Sequence, residues 1–287
     1  MSNKLMSVFC AFLIAISFSI PVLAEEKNGN DSITTVTFNE YDYYIHLSKQ
    51  SDKSLESNGF SKLEIQEIRN FEDKFHEHVE YMNQSYSDEQ LVGLGYTKEQ
   101  IQLIRNFDGS TESSKAIAAT MTLNIWLTNK STSGSNRTAT VNYNYSWSGE
   151  TTVRLNDTFG AIVGNGYTVS QYHSTSIQYY DQNRMTWNTV SYSPQNAPSS
   201  LGNNGYVKFP VFIYNTGVAM KGNGSMNIYK NTIDIFSVPY GVSYGHQVYA
   251  GGYSISVGLN IGGVGSVGVS YTPSSSVNNY QETGVFT

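Results

Sequence analysis

The chain has 287 residues, 39% of them hydrophobic and 14% charged, with 25 glycines, 22 tyrosines and a single cysteine. That composition excludes a disordered chain, a disulfide scaffold and a helical membrane protein, and the length allows one or two domains with full hydrophobic cores. The formal net charge of −6 is unevenly spread: residues 25–115 hold 9 Lys/Arg against 18 Asp/Glu, and residues 116–287 hold 7 against 5. A strongly acidic first part and a sparsely charged second part argue against nucleic acid as a partner.

The first element is a targeting segment. Lys4 supplies a positive start, Phe9 to Ile20 is apolar, and Pro21-Val22-Leu23-Ala24 precedes Glu25-Glu26-Lys27. This pattern predicts a secretory signal peptide over 1–24, cut after Ala24. The apolar run is shorter than the roughly 20 residues of a membrane-spanning helix. Cys10 lies inside the signal, so the mature chain is expected to be secreted and soluble and to fold without disulfides. Export of a cysteine-free chain suits a Gram-positive bacterium.

Residues 25–108 read as an acidic helical module with a 36-residue internal repeat, 51–72 returning as 87–108. Each copy has a short helix, a glycine stop at Gly59 or Gly95 and a second helix opened by Ser61 or Thr97. Ser61 with Glu64, and Thr97 with Gln100, have capping-box spacing, while Phe60 with Ile65, and Tyr96 with Ile101, are placed as hydrophobic staples. The apolar stripe Ile65, Ile68, Phe71 recurs as Ile101, Ile104, Phe107. Each copy is therefore expected to be an αα-hairpin, with 72–83 extending the second helix of the first copy. Gly109 to Ser114 reads as a flexible linker, placed at 109–116.

From 117 to 287 the period changes to two. Met121, Leu123, Ile125 and Leu127 alternate with polar residues, and after a loop at 129–136 so do Val141, Tyr143, Tyr145 and Trp147, giving an amphipathic hairpin. Further strands are expected at 151–156, 167–172, 185–192, 206–214, 225–229 and 234–238, separated by Gly, Asn, Ser and Pro clusters. A last hairpin runs from Tyr253 to Ile261, turns at 262–265 and returns through Tyr271. The expected class is α+β, with helical repeats followed by an antiparallel β-sandwich or a barrel-like domain.

Short motifs carry little chemistry. Gly263-Val264-Gly265-Ser266-Val267-Gly268 fits a dinucleotide fingerprint, but without the strand before it and helix after it the segment reads as a turn. Gly241-Val242-Ser243-Tyr244-Gly245 fits a hydrolase elbow but reads as a loop, for want of the strand-to-helix context. His76 and His78 point to different helix faces, and the pair Glu72 and His76 lacks further zinc ligands, so both histidines read as exposed helix surface. No catalytic residue, metal ligand or cofactor is assigned, and the expectation is a non-enzyme. Glu150, Asp157, Asp181, Asp234 and Glu282 are the carboxylates that folding would have to bring together to overturn it. Tyr143, Tyr145 and Trp147 share a face with Val141 and belong in a core. Trp126, on the Thr/Asn face, together with Trp187 and His246, are the candidate binding residues.

The repeated Leu-x-x-x-Gly-Tyr/Phe-Thr/Ser-x-x-x-Ile element, followed by a Ser/Thr/Asn-rich region with Tyr244-Gly245-His246 and a Gly/Ser/Val-rich end at 253–273, resembles a group of secreted two-module proteins of Bacillus-type Gram-positive bacteria. The resemblance implies export and two modules and brings no catalytic residues. Two functions follow as expectations. The first is a secreted binding protein whose β-domain meets glycan or another cell-envelope component while the helical repeats contact protein. The second is a pore-forming or bacteriocin-like toxin that turns the apolar face of the 253–271 hairpin, with Ile255, Val257 and Leu259, toward lipid, the one reading in which a membrane is the partner.

Overall fold

The computed structural model describes residues 33–57, 60–152, 156–163, 167–196, 203–213, 216–232, 237–247, 259–261, 264–267 and 275–285. The chain opens with strand β1 (Thr34–Asn39) and seven helices follow among the described residues: α1 (Glu40–Ser48), α2 (Asp52–Ser57), α3 (Lys62–Arg69), α4 (Phe71–Ser85), α5 (Asp88–Gly93), α6 (Lys98–Arg105) and α7 (Thr111–Ile117). The rest are strands: β2 (Thr120–Ser133), β3 (Asn136–Ser148), β4 (Asn156–Val163), β5 (Thr168–Tyr172), β6 (Thr175–Asp181), β7 (Thr186–Tyr192), β8 (Gln195–Asn196), β9 (Asn203–Pro210), β10 (Phe212–Ile213), β11 (Gly217–Asn231), β12 (Ser237–Gln247), β13 (Leu259–Ile261), β14 (Val264–Val267) and β15 (Ser275–Val285). The α+β class is as expected.

Helix starts follow local chemistry. Capping boxes close at Ser61 with Glu64 and at Thr97 with Gln100, and a third closes at Ser87 with Gln90. Gly95 takes φ +81°, the left-handed conformation expected at its helix stop. Gly59 lies outside the described residues. The helix after the first copy is interrupted at Asn70, which ends α3 and precedes α4. An arginine at the end of each second helix reaches back to the loop before the first. Arg69 donates to the Gln50 carbonyl (2.6 Å) and Asp52 (2.7 Å), and Arg105, 36 residues later, donates to the Tyr86 carbonyl (2.7 Å) and Asp88 (2.8 Å).

Two antiparallel sheets face each other. An eight-stranded sheet has the path β1-β2-β3-β11-β6-β7, with β5 and β10 also on β11, and a five-stranded sheet runs β15-β12-β4-β9-β8. Tyr143 and Tyr145 of β3 meet Phe159 of β4 with ring centroids at 5.1 and 4.9 Å, and Tyr145 meets Tyr244 of β12 at 4.6 Å. The alternating apolar faces of β2 and β3 are thus spent on the core. Several strands differ from expectation. The loop at 129–136 shrinks to Gly134 and Ser135, because β2 continues past a bulge at Asn129, which takes φ +54°. β4 begins where a strand was expected to end, β6 was not expected, and β11 starts eight residues before the expected Ser225. Gly222 and Gly224, which look like breakers, lie inside β11 because tyrosine rings lie over them: a Cβ at Gly222 would sit 2.3 Å from Tyr145, and one at Gly224 2.6 Å from Tyr143. Gly241 to Gly245, expected to be a loop, belongs to strand β12 and is paired on both sides. Strand β14 takes in Val264 and Gly265, placed in the turn at 262–265, as well as Ser266 and Val267 of the expected returning strand.

The linker expected at 109–116 is instead mostly α7. Ser110 accepts from the Ser113 N–H (3.2 Å) to cap it, Asp108 accepts from the Ser110 N–H (2.9 Å), and Ser114 and Ile117 are buried. The serines that suggested flexibility are capping and packing residues. The helices also share one buried core with the sheets. β1, from the acidic half, pairs with β2 over six residues, and the Gly149 N–H donates to the Leu94 carbonyl (2.9 Å). The Thr152 N–H donates to Glu40 (3.0 Å) and the Glu150 N–H to the Tyr96 hydroxyl (3.1 Å). His76, read as exposed, meets the Phe107 ring at 5.1 Å and the Ser114 hydroxyl at 3.4 Å.

Candidate functional site: the strand pair around the last hairpin

β12 lies between β4 and β15. It pairs with β15 over eleven residues, from Ser237 opposite Val285 to Gln247 opposite Ser275. Residues 248–274 lie between the two strands in sequence. Within that segment β13 and β14 pair antiparallel, Leu259 opposite Val267 and Ile261 opposite Val264. Leu259 is therefore on a strand, as expected; Ile255 and Val257 lie outside the described residues.

β12 is tied to the sandwich by polar bonds inside the core. Val242 and Tyr244 are buried, the Trp147 indole N–H donates to the Tyr244 hydroxyl (3.1 Å), and that hydroxyl donates to Asp157. Burial first, and then the Asp157 charge, push the Tyr244 phenol well above its ordinary value; burial does the same to Tyr145. Neutral phenols are the stable state here.

The candidate binding residues do not form one site. Trp126 is half-buried on β2, opposite Asn142. Trp187 is exposed on β7, four strand spacings away in the same sheet, or about 19 Å at about 4.8 Å per strand. His246 belongs to β12 in the other sheet, its backbone opposite Asp157 and Ser276. Composition could not locate what surrounds Trp187: Lys221 places its ammonium 4.7 Å from the ring centroid and Tyr180 its ring at 5.3 Å.

Glu150, Asp157 and Asp181 have structural partners. Glu150 accepts from the Tyr86 hydroxyl (3.1 Å) and the Gln182 amide (3.2 Å), and Asp181 accepts from the N–H groups of Asn183 and Arg184 (3.0 Å each). Glu282 lies on β15 opposite Tyr240, and Asp234 is outside the described residues. Among the described residues no three His, Cys, Asp or Glu side chains gather as metal ligands, and no helix is long and apolar enough to cross a membrane, which says nothing of strands.

No protein family matches the chain, and no curated protein does. A solved structure described as a pore forming protein is similar over 59% of this chain and 90% of its own, with 9% identity and a TM-score of 0.29. A likeness of that size fixes neither fold nor activity.

Proposed function

We propose that the protein is a secreted, non-enzymatic, pore-forming protein whose membrane-entering segment is the 253–271 hairpin, carried on β12 and β15. The observation behind this reading is the eleven-residue register of β12 with β15, which ends at Gln247 and Ser275, the two residues where the intervening segment leaves and returns. The hairpin arms alone, with nine residues from Tyr253 to Ile261 and seven from Ser266 to Thr272, are short against the roughly 9–11 of a spanning strand. Continued into the paired legs, they exceed it. β12 alternates Val238, Tyr240, Val242, Tyr244 with Ser, Pro, Gly and Ser, the pattern of a strand with one face to lipid and one to water. In the folded chain Val242 and Tyr244 are instead buried in the core, so membrane entry requires β12 to leave β4.

Dye release from liposomes tests the reading. Micromolar wild-type protein is expected to cause leakage, and Ile255→Asp with Val257→Asp to abolish it while leaving circular dichroism unchanged. A Val242→Cys/Ala161→Cys pair joins β12 to β4, whereas Val242→Cys/Tyr280→Cys joins β12 to β15. Register partners of antiparallel strands lie about 4.5–5.5 Å apart at Cα, within disulfide range. The oxidised β12–β4 bond is expected to block leakage until reduced, and the β12–β15 bond to permit it. Intact liposomes with wild-type protein count against a pore. A glycan site has less support, since Trp126, Trp187 and His246 lie on separate strands.

A further inference from the structure

The turn between β6 and β7 combines a rigid root with an exposed amphipathic tip. At the root, the Gln182 N–H donates to the Thr216 carbonyl (3.0 Å), the Gln182 carbonyl accepts from the Gln90 amide (2.9 Å), and the Gln182 side chain bonds both Tyr86 and Glu150. Asp181 fixes the turn by accepting two successive backbone N–H groups. At the tip, Met185 is 54% exposed and is held at φ +52°, a conformation that non-glycine residues rarely adopt. Trp187 is 45% exposed, the Arg184 side chain is 82% exposed, and Lys221 leans over the Trp187 ring.

The surroundings extend this apolar surface. Seven large apolar side chains are exposed among the described residues, and four of them belong to this turn or to elements packed on it. Val92 adjoins Gly93, which lies against the Tyr180 ring, and Tyr81 meets Tyr86, whose hydroxyl donates to Gln182. The nearby acids are largely engaged. Asp181 is occupied by the turn, Asp88 by Arg105 at 2.8 Å, and Glu80, beside Tyr81, accepts from the Gln84 amide (3.1 Å), while Glu89 lies in the first turn of α5.

We infer that the β6–β7 turn docks the folded protein on an anionic lipid surface, with Met185 and Trp187 entering the interface and Arg184 and Lys221 meeting headgroup phosphates. Tryptophan favours the interfacial layer, and each cation near an anionic surface strengthens binding about fivefold. An exposed turn with both apolar side chains and flanking cations matches the interface of a bilayer. The inference rests on the pore reading for its biological sense, but its measurement is separate.

The full mature chain is floated with liposomes of phosphatidylcholine alone or mixed with phosphatidylglycerol. Wild type is expected to float with the mixed vesicles. Met185→Gly, which also suits the positive φ, and Trp187→Thr are each expected to weaken partitioning about tenfold, from the apolar area lost. Arg184→Gln with Lys221→Gln is expected to remove the preference for the anionic lipid, and Tyr229→Ser, an exposed residue elsewhere, to change nothing. The inference is overturned if wild type floats with neither vesicle, if the turn variants float like wild type, or if Tyr229→Ser loses as much. Flotation without dye release would sink the pore reading and leave the docking site standing. Dye release with undiminished flotation of the turn variants would do the reverse.

Discussion

Gly95 shows how a single residue serves two structures. Its φ of +81° ends α5, and an added Cβ would sit 3.1 Å from the Trp147 carbonyl oxygen and 3.3 Å from the Ser148 Cα. The Ser148 hydroxyl also donates to the Gly95 carbonyl (3.0 Å). Gly95→Val therefore meets backbone strain and a clash with β3 together, and is expected to cost well over the roughly 1 kcal/mol that separates glycine from other residues by entropy alone. Urea unfolding followed by near-ultraviolet circular dichroism checks this, and the loss should include signals from the sheet aromatics. The left-handed turn was legible in the repeat, since a glycine between two helix signatures has a local meaning. The contact with β3 was not, because it joins residues more than fifty positions apart.

At the scale of elements, helices were read more accurately than strands. Ser61, Thr97 and their N3 partners form within four residues of chain, so their sequence spacing is their geometry. Strand partners come from elsewhere, and the environment decides what a glycine does. In β11, Gly222 is opposite Tyr145, and the ring occupies the volume a side chain would need. Gly222→Ala is accordingly expected to destabilise by about 1–3 kcal/mol through overpacking, although alanine is better suited to a strand than glycine. A thermal melt that matches or exceeds wild type would show that the ring can give way. The same dependence on partners explains Gly241 to Gly245, which read as a loop for want of a strand-to-helix turn and whose pairing with both β4 and β15 makes a central strand.

For the whole molecule, a shared core and an α7 anchored by buried Ser114 and Ile117 lead to one cooperative unfolding transition, with helical and aromatic signals lost together and trypsin slow to cut at Lys115. Two transitions, or rapid release of an acidic helical fragment, would restore the separate modules that composition suggested. The transition should also have a particular pH dependence. Burial raises the phenols of Tyr44, Tyr145 and Tyr244 above the unfolded value, Tyr143 to about 12. Because the folded pKa is the higher one, this stabilisation is complete below about pH 10, where both states are neutral, and is lost as pH rises and the unfolded chain ionises first. Urea midpoints should accordingly show no loss from these phenols between pH 8 and 9.5 and fall above 10. By itself, the sequence determined the α+β class, the helix caps, the left-handed Gly95 and the inward face of β2 and β3, since each follows from periodicity or from bonds between near neighbours. Only the tertiary structure decided that the serine-rich 109–116 stretch is mostly helical and packed, that the candidate binding residues lie apart, and that β12 and β15 pair on either side of residues 248–274. Those outcomes depend on which distant surfaces meet, and no local spacing encodes them.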